Sequence, residues 1–202
     1  MKRIYLLRHG EAVDDVEDCY GGVADFPLSE GGLETAESMA KRLSDSGIEI
    51  LFSSPYKRAA QTAEAIAGPL NCQVKIVPNL RERNSYGVLS GVNKDRAKEI
   101  FGHILSGIDG KPGDYYGTES VLGDESISEF DSRVREAFEA CNQAEDNAET
   151  IGIVTHGNVT RSLYRNILGI TGKVELGLLA VTVIIEKEEG LEIESMDGVS
   201  VE

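Results

Sequence analysis

Two short segments carry residue types that can do phosphoryl chemistry. Arg8-His9-Gly10-Glu11 puts a cation, an imidazole and a glycine on one turn. Neutral imidazole attacks phosphorus, and an arginine fork binds phosphate oxygens in pairs without losing its proton. Glycine lets a bulky oxyanion approach the backbone. A phosphoryl group asks mainly for positioning and neutralisation, because its loose transition state spreads charge over three oxygens. An isolated Arg-His pair is ordinarily a surface ion pair. A second histidine-glycine, in Thr155-His156-Gly157-Asn158, shifts the reading toward one shared anion site.

Both histidines follow short apolar runs that read as buried strands, Arg3 to Leu7 and Thr150 to Val154. Further strands are expected at Ile48 to Phe52, Val74 to Val77 and Leu178 to Ile185. The last of these turns through Glu186 to Gly190 into Leu191 to Met196, a hairpin at a sheet edge. Helical spacing follows a capping Ser29 (Leu33, Ala36, Met39, Ala40, Leu43), with Gly47 as its stop. It recurs from Pro55 to Gly68-Pro69, from Asn93 to Ile108, from Ser126 to Ala144, and from Asn158 to Leu168. Residues 12–28 read as a surface loop, and the Gly-, Asp- and Tyr-rich residues 106–124 as a mobile loop. Alternating strands and helices imply an α/β three-layer sandwich, a largely parallel central sheet flanked by helices, with ligand sites at the strands' carboxyl ends.

The chain has 202 residues, a length suited to a single domain spanning 1–202. With 20 Lys and Arg against 35 Asp and Glu, the formal charge is -15, so phosphate backbones and anionic lipid heads are repelled. Nucleic acid and membrane are therefore poor partners, and a site for an anion must carry its own cations. No run approaches the ~20 apolar residues of a membrane span, and Ile4 to Leu7 is too short for a signal-peptide core, so a cytoplasmic protein is expected. Cys19, Cys72 and Cys141 lack CxxC spacing and read as ordinary thiols. No spacing of histidines, acids or cysteines argues for a metal. The oligomeric state is left open.

Leu6-Leu7-Arg8-His9-Gly10-Glu11 resembles the signature of the histidine phosphatase superfamily, which includes cofactor-dependent phosphoglycerate mutases. The likeness continues in order along nearly the whole chain. Asp25-Phe26-Pro27-Leu28-Ser29-Glu30-Gly31-Gly32 is similar to D-x-P-L-[ST]-x-x-G, and Ser53 to Ala63 is similar to S-S-P-x-x-R-A-x-x-T-A. Leu80-Arg81-Glu82-Arg83 resembles the family's acid-bearing segment, and Asp124-Glu125-Ser126 with Arg133-Val134 a following helix start. The resemblance implies that His9 takes the phosphoryl group on a ring nitrogen. It implies that Arg8, Arg58 and His156 hold the phosphoryl oxygens, and that Glu82 protonates the leaving oxygen and then accepts a proton from water. It implies no cofactor and no metal, since arginines and His156 supply the neutralisation. Taken alone, Glu82 between Arg81 and Arg83 equally reads as a surface ion-pair cluster, and Glu11 as a carboxylate that orders Arg8.

Mutase and phosphatase share the phosphohistidine and differ in what accepts the phosphoryl group. Glu82 to Lys94 resembles the mutase segment E-R-x-Y-G-x-L-x-G-L-N-K with one residue extra before Tyr86. That makes Tyr86, Lys94, Asn158 and Gly22 candidate substrate-binding residues. Departures point the other way. Asp15 stands where the family has asparagine, and Gly21-Gly22 where mutases have threonine and glycine. The stretch from Gly91 to His156 is short for a mutase and holds no adjacent arginine pair. The balance favours a metal-independent phosphatase acting on a small phosphorylated metabolite, with a 2,3-bisphosphoglycerate-dependent phosphoglycerate mutase as the alternative.

Overall fold

A computed structural model describes residues 2–105, 123–144 and 148–202. Four parallel strands form the body of one sheet: β1 (Arg3–Arg8), β2 (Ile50–Ser53), β3 (Gln73–Ile76) and β4 (Thr150–Thr155). A long antiparallel hairpin, β5 (Val174–Lys187) and β6 (Gly190–Val201), extends it beyond β1. The spatial order is β3-β2-β4-β1-β5-β6, so β6 forms an edge as expected. Six helices accompany the described strands: α1 (Val13–Val16), α2 (Glu30–Arg42), α3 (Lys57–Leu70), α4 (Lys94–Leu105), α5 (Ile127–Gln143) and α6 (Gly157–Asn166).

The layering follows from side-chain alternation along the central strands. Ile4 and Leu6 of β1, with Ile151 and Ile153 of β4, pack on one face against Phe130, Val134 and Phe138 of α5 and Leu163 and Tyr164 of α6. Leu7 of β1, Leu51 of β2 and Val154 of β4 point to the other face. There they meet Met39 of α2 and Ala59, Ala63 and Ile66 of α3. Both faces are covered, which explains why these strands read as unbroken apolar runs. The small residues of α3 let it lie close to the sheet. Ser29 caps α2, its hydroxyl accepting from the Gly32 amide at 2.9 Å.

Several boundaries differ from expectation. Helix α2 stops at Arg42, and Gly47 (φ +74°) belongs to the loop beyond it. Pro55 precedes α3 rather than opening it, whereas Pro69 lies in its last turn and Asn71 closes it in the left-handed region at φ +53°. The segment 12–28 contains α1 and buries Asp14, so it is not wholly surface. Strand β5 starts at Val174, four residues before its apolar run. Residues 106–122 of the expected mobile loop lie outside the described residues.

Candidate active site

The two histidines meet because of strand register. In the parallel β1–β4 ladder Arg8 is the partner of Thr155, so His9 and His156 leave the sheet side by side. The His9 amide donates to the Thr155 carbonyl at 2.9 Å, and the imidazole centroids lie 5.1 Å apart at 62°. Residues 147 positions apart in sequence thereby share one surface. The neighbouring strand contributes in the same way. Ser54, just past β2, donates its amide to Val154, and its hydroxyl lies 2.7 Å from His156 Nε2. The Tyr56 ring packs edge-on against His156 at 5.5 Å.

Tautomers follow from the partners. His9 Nδ1 lies 2.7 Å from the Gly10 carbonyl, which can only accept, so Nδ1 carries the proton and the lone pair sits on Nε2. His156 Nδ1 is buried without a hydrogen-bond partner. Burial, followed by the charge of Arg58, holds both imidazoles well below the ordinary 6.5. Both rings are therefore neutral at neutral pH, the form His9 needs to attack.

Cations surround them. Arg58, on the first turn of α3, is 2% exposed and donates to the carbonyls of Ala24 (2.8 Å) and Gly22 (2.9 Å). Gly22 adopts φ +50°, and a Cβ there would meet Ser90 Oγ at 2.8 Å. Arg8 donates from Nη1 to the Leu176 carbonyl at 2.6 Å, and its Nε is buried without a partner. Neither guanidinium forms an ion pair with an acid among the described residues. Both cations are held by backbone oxygens rather than by carboxylates.

Glu82 belongs to this cluster rather than to a surface ion network. Its flanking arginines turn away to Glu125: Arg83 donates to the Glu125 carbonyl (2.9 Å), and Arg81 lies 3.6 Å from its carboxylate. Glu82 accepts from the amides of Arg83 (2.7 Å) and Asn158 (3.2 Å). Burial raises its pKa above the usual 4.5, although those two amides and the nearby arginines oppose the rise. Buried Arg133, on α5, clamps the segment from behind through the carbonyls of Asn79, Arg81 and Glu82, and pairs with Glu125 at 2.6 Å.

Of the expected substrate-binding residues, Asn158 and Gly22 adjoin the cluster, and the Tyr86 ring stacks near Tyr20 at 4.9 Å beside Gly22. Lys94 stands apart, ion-paired with Asp18. Asp15 is exposed, and its carboxylate turns back to accept from the Ala12 amide at 2.9 Å instead of entering the pocket. Glu11 accepts from the Ser29 hydroxyl at 2.5 Å. It braces the cap of α2 rather than ordering Arg8. Among the described residues no group of three His, Cys, Asp or Glu side chains is placed to hold a metal.

Three contributors were not singled out from sequence. Ser54 lay inside a quoted segment, with no signal for its bond to His156. Arg161 follows Asn158 by three positions on α6, spacing that puts both on one helix face. The third is a bulge in β5. The β1–β5 pairing ends at Leu7 and Val181, and β5 shifts register against β6 between Leu176 and Val181. In that bulge Leu176 holds Arg8, while Leu179, at φ +55°, donates its amide to the His9 carbonyl at 3.3 Å. No local pattern marks a leucine for the left-handed region.

Residues 4–197 match the histidine phosphatase superfamily (branch 1), and the chain belongs to this family of phosphoryl-transfer enzymes. A probable phosphoglycerate mutase GpmB of Erwinia tasmaniensis is 33% identical over 180 residues, 87% of this chain and 79% of that protein. The structure of Bacillus stearothermophilus YhfR superposes with a TM-score of 0.83 at 25% identity, covering 98% of this chain and 97% of the other. The α-ribazole phosphatase of Shigella flexneri shares the fold, with a TM-score of 0.80 at 20% identity over 96% and 95% of the two chains.

Proposed function

We propose that this enzyme hydrolyses small phosphate monoesters through a phosphohistidine on His9. The observation that carries the proposal is the pair of neutral imidazoles 5.1 Å apart, ringed by guanidinium groups that form no ion pair among the described residues. His9 Nε2 attacks phosphorus as the ester P–O bond breaks, and protonated Glu82 delivers its proton to the departing oxygen. Water then attacks the phosphoryl group, Glu82 takes its proton, and the P–N bond breaks to release phosphate. Arg8 and Arg58 neutralise the equatorial oxygens throughout. If the Ser54 hydroxyl donates to His156 Nε2, the otherwise partnerless Nδ1–H of His156 is the donor left for a phosphoryl oxygen.

The named relatives keep a mutase as the second reading. Against it, Lys94 spends its charge on Asp18 and Asp15 folds back on its own turn. A cytoplasmic setting belongs to the same proposal and is supported by three free thiols. Incubating the protein with 3-phosphoglycerate and catalytic 2,3-bisphosphoglycerate separates the two activities. Release of inorganic phosphate ahead of any 2-phosphoglycerate is expected. Faster isomerisation than release would establish the mutase.

A further inference from the structure

Glu82 lies where the backbone has no ladder to hold it. Between β3 and α4 the chain forms only two short 3-10 turns, Pro78–Leu80 and Gly87–Leu89, and Glu82 falls between them. A group that must meet a departing oxygen needs a fixed backbone, since a misplacement of about 1 Å can cost about a hundredfold in rate. The fixing comes from α5. Arg133 donates from Nη1 to the carbonyls of Asn79 (2.9 Å) and Arg81 (2.8 Å), and from Nη2 to that of Glu82 (3.2 Å). Its Nε and Nη2 also hold the two carboxylate oxygens of Glu125, at 2.6 and 2.7 Å. All five N–H donors of the guanidinium are thereby spent.

Glu125 holds the other side of the same segment. Its amide donates to the Asn84 carbonyl at 2.9 Å, and its carbonyl accepts from Arg83 Nε and Nη2 at 3.1 and 2.9 Å. Each residue from Arg81 to Asn84 thus bonds to Glu125 or Arg133. The Glu82 carboxyl points instead toward the amide of Asn158, in the first turn of α6. Packing makes the platform rigid: Phe130, Val134 and Phe138 of α5 are buried in the core, and Arg133 lies over the Phe130 ring at 4.8 Å. Among the described residues, neither Glu125 nor Arg133 hydrogen-bonds to His9, His156, Arg8 or Arg58. A buried ion pair adds little stability, because desolvation offsets the attraction. What this pair supplies is fixed geometry.

We propose that Glu125 and Arg133 are positioning residues for the acid step: together they fix residues 79–84 so that the Glu82 carboxyl meets the leaving oxygen. This rests on the proposed role of Glu82 as proton donor. Lysine at position 133 would keep the charge beside Glu125. Its three donors on one ammonium cannot span the three carbonyls and both carboxylate oxygens.

Leaving-group dependence separates the aiming of an acid from a general loosening. The ratio kcat/KM reports phosphoryl transfer to His9 and excludes the later attack by water. It is measured with propyl phosphate, whose alkoxide needs a proton, and with p-nitrophenyl phosphate, whose leaving group departs without one. Arg133→Lys is expected to lower kcat/KM for propyl phosphate about tenfold or more, and that for p-nitrophenyl phosphate less than about twofold. Glu125→Gln, which keeps the shape, is expected to act in the same sense, and decides the matter if Arg133→Lys melts below the assay temperature. In a Glu82→Gln background, Arg133→Lys is expected to add no further loss. Equal losses for both substrates, no loss for either, or a full additional loss in the double variant would overturn the positioning role. Any of these beside a leaving-group-dependent loss in Glu82→Gln alone would leave the acid assignment standing. Equal slowing of both substrates by Glu82→Gln would remove the acid and the positioning role together.

Discussion

At the residue scale, chemistry depends on keeping a histidine neutral and a carboxylic acid protonated in one pocket. Burial does both, lowering His9 below 6.5 and raising Glu82 above 4.5, and it does so because each group is charged in only one of its two forms. With alkyl phosphates the reaction needs neutral His9 and protonated Glu82. Its acid limb therefore lies well below pH 6.5, where the buried His9 gains a proton, and its alkaline limb lies above the ordinary carboxylate range, where the buried Glu82 loses one. Glu82→Gln should slow alkyl phosphates about a hundredfold. It should slow p-nitrophenyl phosphate far less, because that leaving group departs without a proton. Equal slowing of both would assign the acid role to another group. Most of these residues were legible in the sequence because each sits within a segment resembling a family signature. The ion pair of Lys94 with Asp18 was not, since it joins residues 76 positions apart and depends on how the intervening chain folds.

At the element scale, the parallel β1–β4 register decides the site: a slip of one residue would turn one imidazole to the opposite face. The apolar runs announced these strands, and the histidines behind them marked their carboxyl ends. The bulge in β5 was hidden, because backbone geometry that depends on pairing with β1 and β6 leaves no periodic trace. Its Leu179 occupies the left-handed region at a cost of roughly 1–2 kcal/mol and touches His9 through its amide. A β-branched residue fits that region worse, and asparagine fits it better. Leu179→Ile should accordingly lower kcat more than Leu179→Asn, although isoleucine preserves the apolar volume. Were packing alone at stake, asparagine would be the more damaging change, and kcat together with melting temperature distinguishes the two orders.

For the whole molecule, an acidic chain gathers Arg8 and Arg58, held by backbone carbonyls, at the end of a sheet covered on both faces. The sandwich was readable from alternating strands and helices. The two separate cores follow from the period-two alternation within β1, β2 and β4. Burying two neutral histidines makes stability depend on pH. Between their lowered folded values and 6.5 the unfolded chain binds more protons, so stability rises with pH there and falls as pH drops below 6.5. Each histidine adds up to about 1.4 kcal/mol per pH unit in that window. Glu82, raised above 4.5, acts in the opposite sense over its own range. Urea midpoints measured from pH 7 to pH 5 should fall, and His156→Gln should flatten the slope; a slope unaffected by that substitution would mean that His156 is not buried neutral.

Acid quenching of the wild type during turnover of a phosphorus-32-labelled monoester examines the nucleophile itself. A labelled protein that loses its phosphoryl group in acid, keeps it in alkali and disappears in His9→Ala is expected. A label that survives acid, or persists without the residue 9 imidazole, would show that phosphoryl transfer runs through another group.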